Sequence, residues 1–184
     1  LHRLIRRQRQ MCIRDRDLKG LKMRTAALYD KMMKKLGMIP VTVKFGDTYT
    51  ALERGLVDGF GWATLGPADW GWLKNCKYII DIPFYTRQNT LILMNLDVWN
   101  SLGKKVQDEI MDITVKFEPD MVAYFKKAIA KEWEKYDKMG IKRIKFSPED
   151  TKIYLDAAYN SMWEDLEKKI PDLVPTLKKL TGNI

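Results

Sequence analysis

Arg24 is the residue whose type and position point most directly to binding chemistry. It ends a short predicted strand, Leu21 to Arg24, and the small residues Thr25, Ala26 and Ala27 follow it. In α/β proteins the carboxyl ends of strands open onto ligand crevices, and a guanidinium fork binds a carboxylate with two hydrogen bonds. The segment therefore resembles an anion-binding module. The alternative is a surface arginine at a strand end, and from the residues alone the two are about even.

Aromatic side chains follow Arg24 at positions where they could form the wall of such a crevice. The candidates are Phe45, Phe60, Trp62, Trp70, Trp72 and Tyr85. Each one alone is more typical of a hydrophobic core than of a ligand contact. Their concentration between Phe60 and Trp72 favours a shared aromatic wall.

Asp58 is the best acidic candidate, because Leu56-Val57 is predicted to enter a strand that stops at Asp58-Gly59. A carboxylate there would lie at the ligand edge of the sheet. The competing and preferred interpretation is that Asp58-Gly59 is simply a turn.

Nucleotide binding is not supported by the glycines. Gly59, Gly61 and Gly66 are close together, but Thr64 stands where a dinucleotide fingerprint needs its third glycine. No Lys-Ser or Lys-Thr pair follows them, as a phosphate loop would require.

Residues 1–16 differ from the rest and are best excluded from fold reasoning. They contain six arginines and the only histidine, His2. Back-translation of Arg6 to Asp15 can be written codon for codon as CGT CGG CAG CGT CAG ATG TGT ATA AGA GAC, which resembles a sequencing-library adapter. We expect the natural chain to start at about Arg16 or Asp17. The alternative is a basic arm that binds nucleic acid or an anionic membrane.

This exclusion removes the basic character of the chain. The net charge of +9 falls to +4, since 33 basic and 24 acidic residues become 27 and 23. Cys76 is then the one remaining cysteine, and it is more typical of a buried small hydrophobe than of a nucleophile. Histidine catalysis, Cys/His metal sites and intrachain disulfides are not expected, and neither is a nucleic-acid partner.

The pattern from Lys19 to Gly59 alternates strands and helices. It predicts a helix over Ala26 to Leu36 ended by Gly37, a strand over Val41 to Phe45, and a helix over Tyr49 to Arg54. Asp47 is the expected cap of the second helix. Strand-helix-strand-helix-strand in so few residues favours a parallel sheet.

The second half is more helical. Strands are predicted at Tyr78 to Ile82, at Thr90 to Asn95 and around Ile144. Apolar residues three or four apart from Lys104 to Met139 predict one long helix, or two joined at Pro119. Ser147-Pro148 begins a further helix toward Lys169.

Four segments together carry a family resemblance. In order they are DLKGLKMR, KKLGMIPV, FGDTYTALERGLVDG and NLDVWNSLGKKVQDEI. From Asp17 to about Ile184 the chain resembles the DctP-like solute-binding proteins of tripartite ATP-independent periplasmic (TRAP) transporters. The most specific match is the ALxxGxxDG pattern from Ala51 to Gly59.

The resemblance implies a two-lobed α/β fold of the type II periplasmic-binding-protein kind, whose cleft closes on an organic acid. It implies delivery of that acid to TRAP membrane permease subunits, a periplasmic location and no catalysis. The family's carboxylate-binding arginine falls on Arg24, its aromatic on Phe45 and a ligand-contacting position on Trp62. Some relatives have Glu-Trp and a metal-assisted site there, but Gly61 replaces the acidic neighbour, so we expect neither metal nor cofactor.

The resemblance also implies a longer protein. Residues 17–85 would form the second lobe, and residues 86–184 would supply hinge strands, the long helix and C-terminal helices of a first lobe whose N-terminal part is missing. Pro83 to Asn89 is the expected hinge, and Arg87 beside it is a second basic candidate for the ligand. An enzyme or sensor on a related two-lobed fold is the alternative.

Overall fold

The computed structural model describes residues 18–85 and 91–181. Arg87 and most of the predicted hinge, including Asn89, lie outside the described residues, as do residues 1–16. Among the described residues, helices and strands alternate in the first half of the chain, and helices predominate in the second half.

The first part of the chain is a small parallel sheet with its crossover helices. The strands are β1 (Lys22–Thr25), β2 (Ile39–Thr42) and β3 (Gly59–Phe60), and the order β2-β1-β3 places β1 in the centre. Helix α1 (Asp30–Lys35) connects β1 to β2, and α2 (Thr48–Glu53) follows β2. Both strand pairs are parallel, so the predicted βαβ topology is confirmed.

Two local predictions near this sheet were wrong. The strand over Val41 to Phe45 lies earlier, at Ile39–Thr42, because Phe45 starts a short 3-10 turn. Pro40 is accommodated in β2 since that strand is at the sheet edge. Asp47 makes no capping hydrogen bond, because its backbone already has helical angles rather than the extended ones of an N-cap.

The strand predicted from Leu56-Val57 to Asp58-Gly59 was also wrong. The backbone N–H groups of Leu56 and Val57 both donate to the carbonyl of Ala51, so these residues lie in the turn that closes α2. Gly55, at a φ of 69°, provides the left-handed turn that permits this. The strand β3 begins only at Gly59.

The remaining described elements are a second sheet and four α-helices. Strand β4 (Tyr78–Ile80) pairs in parallel with β5 (Lys142–Ile144). The described helices are α3 (Leu96–Ser101), α4 (Lys104–Lys138), α5 (Pro148–Lys169) and α6 (Val174–Thr181).

Two helix predictions can be compared with this part of the structure. Helix α4 continues through Pro119 without a second start, because the missing proline N–H removes one bond from a helix of 35 residues. Ser147 caps α5 as predicted, its Oγ accepting from the N–H of Asp150 at 3.0 Å.

The main hydrophobic core joins the two parts. Met32 and Met33 of α1 pack with Ile82 and with Tyr154 and Ala158 of α5. At the surface of the same contact, ion pairs join Lys31 to Asp165 and Lys35 to Glu164. Helix α5 therefore packs directly on the sheet unit of residues 18–85.

The strand predicted at Thr90 to Asn95 is absent over the described residues 91–95. A strand needs a neighbour to pair with, and the side chains of Leu91, Ile92 and Leu93 are 72–85% exposed. The long helix is also apolar on exposed positions. These are Val106, Met111, Ile113, Val115, Phe117, Val122, Tyr124, Phe125 and Ile129.

We predict that the chain of residues 1–184, expressed alone, does not unfold in one cooperative thermal transition. Apolar surface of this extent is normally covered by other protein, so the isolated chain should associate and bind a hydrophobic dye. The measurements are thermal circular dichroism and dye fluorescence at several protein concentrations. A sharp melt that does not change with concentration, without dye binding, would contradict this.

Candidate anion-binding site

Arg24 lies at the carboxyl end of the central strand. It is paired with Val41 on one side and Phe60 on the other, and only Thr25 follows it in β1. Its carbonyl accepts from the N–H of Gly61 at 2.9 Å, which ties the chain leaving β3 to the same edge. The side chain is 5% exposed, so the alternative of a surface arginine does not fit.

The guanidinium of Arg24 is held by one hydrogen bond and two aromatic rings. Its Nε donates to the carbonyl of Val43 at 3.3 Å. Its central carbon lies 5.0 Å from the ring centre of Trp62 and 5.5 Å from that of Trp72, within cation-π range. Burial lowers the pKa of Arg24, and the nearby Tyr29 acts in the opposite direction.

One nitrogen of this guanidinium, Nη1, is buried and has no hydrogen-bond partner among the described residues. Leaving a buried charged donor unpaired costs about 1–3 kcal/mol or more. A carboxylate is the partner whose geometry and charge best match this group. Because Nη1 is covered, a ligand can reach it only after a neighbouring group moves.

Five aromatic residues form one cluster beside Arg24, here called the aromatic cluster. They are Phe45, Phe60, Trp62, Trp70 and Trp72. The ring of Phe45 lies 4.8 Å from Trp70 and 5.7 Å from Trp62, centre to centre. Trp72 is 2% exposed, whereas Phe45, Trp62 and Trp70 are 37–46% exposed. The cluster thus has a buried base and a half-open outer face, as a ligand wall requires.

Tyr85, the sixth aromatic candidate, lies elsewhere. Its ring stacks on Tyr29 at 6.0 Å, and its hydroxyl donates to the carbonyl of Ala158 in α5 at 2.9 Å. These contacts place Tyr85 in the core between the sheet unit and α5.

Asp58 lies at the opposite edge of the sheet from Arg24. It precedes β3, and its Oδ2 accepts from the N–H of Lys22 at the beginning of β1, at 2.9 Å. Asp58 does not end a strand, because Leu56 and Val57 lie in the turn that closes α2, and the preferred interpretation of a turn before Gly59 fits the structure better. The structure gives Asp58 a role in joining β1 to β3, and we do not include it in the site.

A residue that the sequence did not single out, Glu132, supports the loop that carries the tryptophans. This loop, residues 61–72, is called the tryptophan loop. Glu132 of α4 is 2% exposed, and its Oε1 accepts from the N–H of Gly66 at 3.1 Å. It was missed because the segment KEWEKYDK is typical of solvated helix charge. The signal available was the two aromatics beside it, Trp133 and Tyr136, which predict a buried face.

No set of three or more His, Cys, Asp or Glu side chains in the described residues is arranged to hold a metal ion. Within residues 18–85 and 91–181 there is also no helix suited by length and hydropathy to cross a membrane. Two surface cavities, of about 580 and 210 Å³, are lined by other residues and do not include Arg24 or the aromatic cluster.

Most of the chain matches the model of a known protein family. Residues 14–169 match the model of the bacterial extracellular solute-binding proteins, family 7, known as DctP. The chain belongs to this family. The match includes Arg24, the whole aromatic cluster and Glu132, so the site lies entirely within the DctP region.

One curated relative is a monocarboxylate 2-oxoacid-binding periplasmic protein from Nostoc sp. strain PCC 7120. It is 36% identical over 104 residues, which is 54% of this chain and 28% of that protein. The chain thus covers about a quarter of this DctP relative.

Solved structures show the same two-lobed α/β fold. A TRAP periplasmic solute-binding protein from Desulfovibrio salexigens, with bound orotic acid, matches at a TM-score of 0.75 and 20% identity, over 91% of this chain and 54% of that one. A second TRAP periplasmic solute-binding protein, from Pseudomonas putida F1 with bound D-glucuronate, matches at a TM-score of 0.72 and 22% identity. This match covers 91% of this chain and 54% of that one. This chain therefore spans about half the length of these DctP-type structures.

Cys76 is a half-buried thiol in this DctP chain, packed against the clusters around Trp72 and Tyr136. Burial raises its pKa to about 11. A thiol in an unfolded chain has a pKa of about 8.5, so between these values the unfolded state loses its proton first. The stabilisation is complete below about pH 8.5 and is lost as the pH rises toward 11.

We predict that Cys76 reacts slowly with a thiol reagent at pH 8 in the folded full-length protein that contains this segment. Only a small fraction is thiolate at that pH, and the rate should rise until about pH 11. The measurement is the labelling rate at Cys76 against pH, located by mass spectrometry, with urea-unfolded protein as the control. Fast labelling of the folded protein at pH 8 would show that the thiol is neither buried nor shifted.

Proposed function

We propose that this chain is part of the extracytoplasmic solute-binding subunit of a TRAP transporter, which binds a small organic acid in a cleft between two lobes. Membership of the DctP family supports the transport role. Because the chain spans about half the length of the related structures, the activity proposed is that of the full-length protein.

The observation that carries this proposal is the unpaired Nη1 of Arg24. The fold holds a permanently charged group at the ligand edge of a parallel sheet, and the described part of the chain gives its Nη1 no acceptor. A bound carboxylate would supply the missing acceptor and the opposite charge together. Trp62 and Trp72 restrict the orientation of the guanidinium, so little of its freedom remains to be lost on binding.

The aromatic cluster would form the apolar part of the site. Phe45, Trp62 and Trp70 present rings on the half-open face. Removing water from this face would strengthen the ion pair between Arg24 and the ligand, because the local dielectric constant falls. Phe45 and Trp62, expected from the family resemblance to contact the ligand, lie 5.7 Å apart, centre to centre, and this proximity supports such a role.

Ligand binding would select a conformation in which Nη1 is accessible. A ligand shifts an equilibrium only if it binds one state better than the other. The conformation in which Nη1 is covered cannot bind a carboxylate there. A ligand would therefore increase the population of the open conformation, and then of the closed conformation with the ligand bound. We propose the segment Pro83 to Asn89 as the hinge for lobe closure, with Arg87 as a further basic group near the ligand.

The packing supports a proposal for the lobes that moves two elements, β5 and α5, from the expected first lobe to the second. We propose that residues 17–85 belong to the second lobe, and that β5 and α5 complete its packing through the core at Met32 and Ala158. The rest of residues 86–184, with the exposed face of α4, would contact the first lobe. This arrangement would cover the apolar side chains exposed on α4.

The ligands named for related proteins support the chemical class. Orotic acid, D-glucuronate and a monocarboxylate 2-oxoacid differ in size and polarity, but all carry a carboxylate. We therefore propose an organic acid, a periplasmic location, and membrane permease subunits of the TRAP type as the partners that receive it.

We predict that Arg24→Ala weakens carboxylate binding about thirtyfold or more in the full-length protein. Truncating one partner of a desolvated ion pair costs about 2–5 kcal/mol. The affinity of Arg24→Lys for the carboxylate should lie between those of wild type and Arg24→Ala, because lysine keeps the charge but lacks the guanidinium fork. Calorimetric titration with pyruvate, orotate and D-glucuronate identifies the tightest probe and then compares the variants.

Two controls accompany this titration. Arg54→Ala removes an exposed arginine of the same unit, and Asp58→Asn changes the carboxylate at the opposite sheet edge. Both should leave the affinity for the probe unchanged. Equal affinity in wild type and Arg24→Ala would remove Arg24 from the site and contradict the proposed function.

A further inference from the structure

The tryptophan loop is attached to the long helix α4 by a buried acidic residue. Oε1 of Glu132 accepts from the N–H of Gly66 at 3.1 Å, while Oε2 lies 3.1 Å from Nζ of Lys135. The same ammonium binds both oxygens of Asp69 at 2.8 Å. One carboxylate and one lysine therefore hold two points of the loop.

A third attachment comes from Tyr136, the next inward-facing residue of α4. It is 1% exposed, and its hydroxyl donates to the carbonyl of Thr64. Burial first, and then the charges of Glu132 and Asp69, raise the pKa of Tyr136, so the hydroxyl remains a donor through the neutral range.

Gly66 is the point at which the backbone of the tryptophan loop contacts the aromatic cluster. Its φ is 106°, and a Cβ at this residue would lie 2.3 Å from the ring of Trp70. The loop backbone thus lies directly against Trp70. That ring in turn packs at 5.5 Å from Trp62 and 5.1 Å from Trp72, the two rings beside the guanidinium of Arg24.

We propose that Glu132 is a positioning residue of the anion site, which it shapes without touching the ligand. Its bond to Gly66 fixes the tryptophan loop, and the contacts of Trp70 pass that position on to the rings that hold Arg24. A charge-assisted bond to a backbone N–H is among the stronger hydrogen bonds, and its loss leaves Gly66 without its acceptor. This inference rests on the proposed function of Arg24.

The test compares Glu132→Ala with Glu132→Gln in the full-length protein, using the carboxylate probe chosen by the wild-type titration. Glu132→Ala removes the acceptor and should weaken binding about tenfold. Glu132→Gln keeps an amide oxygen for Gly66 and should remain within about threefold of wild type. The near-ultraviolet circular dichroism spectrum is recorded at a temperature where all variants are folded. It should differ from wild type in Glu132→Ala and match wild type in Glu132→Gln.

The matched control is Arg143→Met. Arg143 lies 4.1 Å from the ring centre of Trp133 and binds Asp137 at 3.0 Å, so it stabilises the same helix without reaching the tryptophan loop. It should lower the melting temperature and leave the affinity unchanged. Wild-type affinity in folded Glu132→Ala, or equal weakening by Arg143→Met, would overturn the role of Glu132. Retained binding in Arg24→Ala would instead overturn the proposed function.

Discussion

The structure of the site depends on one constraint, which is the cost of burying a charged guanidinium that lacks a full set of hydrogen-bond acceptors. Arg24 is almost fully buried, yet within residues 18–85 and 91–181 its Nε has an acceptor and its Nη1 has none. Burial of an unpaired charge is costly, so the surrounding structure must hold this side chain against its preference for water. The parallel sheet does so by placing Arg24 in the central strand, and Trp62 and Trp72 do so by packing against its charge.

Successive layers of structure around Arg24 hold its side chain in place. Strand pairing fixes the backbone of β1, and the turn at Phe45 brings an aromatic ring onto the same edge. The tryptophan loop supplies three rings, and Glu132 of α4 holds that loop from behind. Under the proposed function, a bound carboxylate would offset the cost of this unpaired donor, which gives a physical reason for the fold to retain such a group.

The sequence predicted the features that depend on local pattern. Alternation and helix ends located the βαβ unit, the pattern placed Arg24 at the end of a strand, and Ser147-Pro148 marked the start of α5. It failed where tertiary contacts decide. Leu56 and Val57 were predicted to enter a strand but lie in the turn that closes α2, which places Asp58 away from the ligand edge. Glu132 resembles surface charge until the loop that buries it is known, and residues 91–95 have no strand neighbour in the described part of the chain.

The most direct measurement is a crystal structure of the full-length protein with its carboxylate ligand bound. The account predicts a carboxylate oxygen within about 3.2 Å of Nη1 of Arg24, with the ring of Trp62 displaced from its ligand-free position but still lining the site. A ligand whose carboxylate is held by other residues, with Nη1 of Arg24 still covered and unpaired, would contradict it.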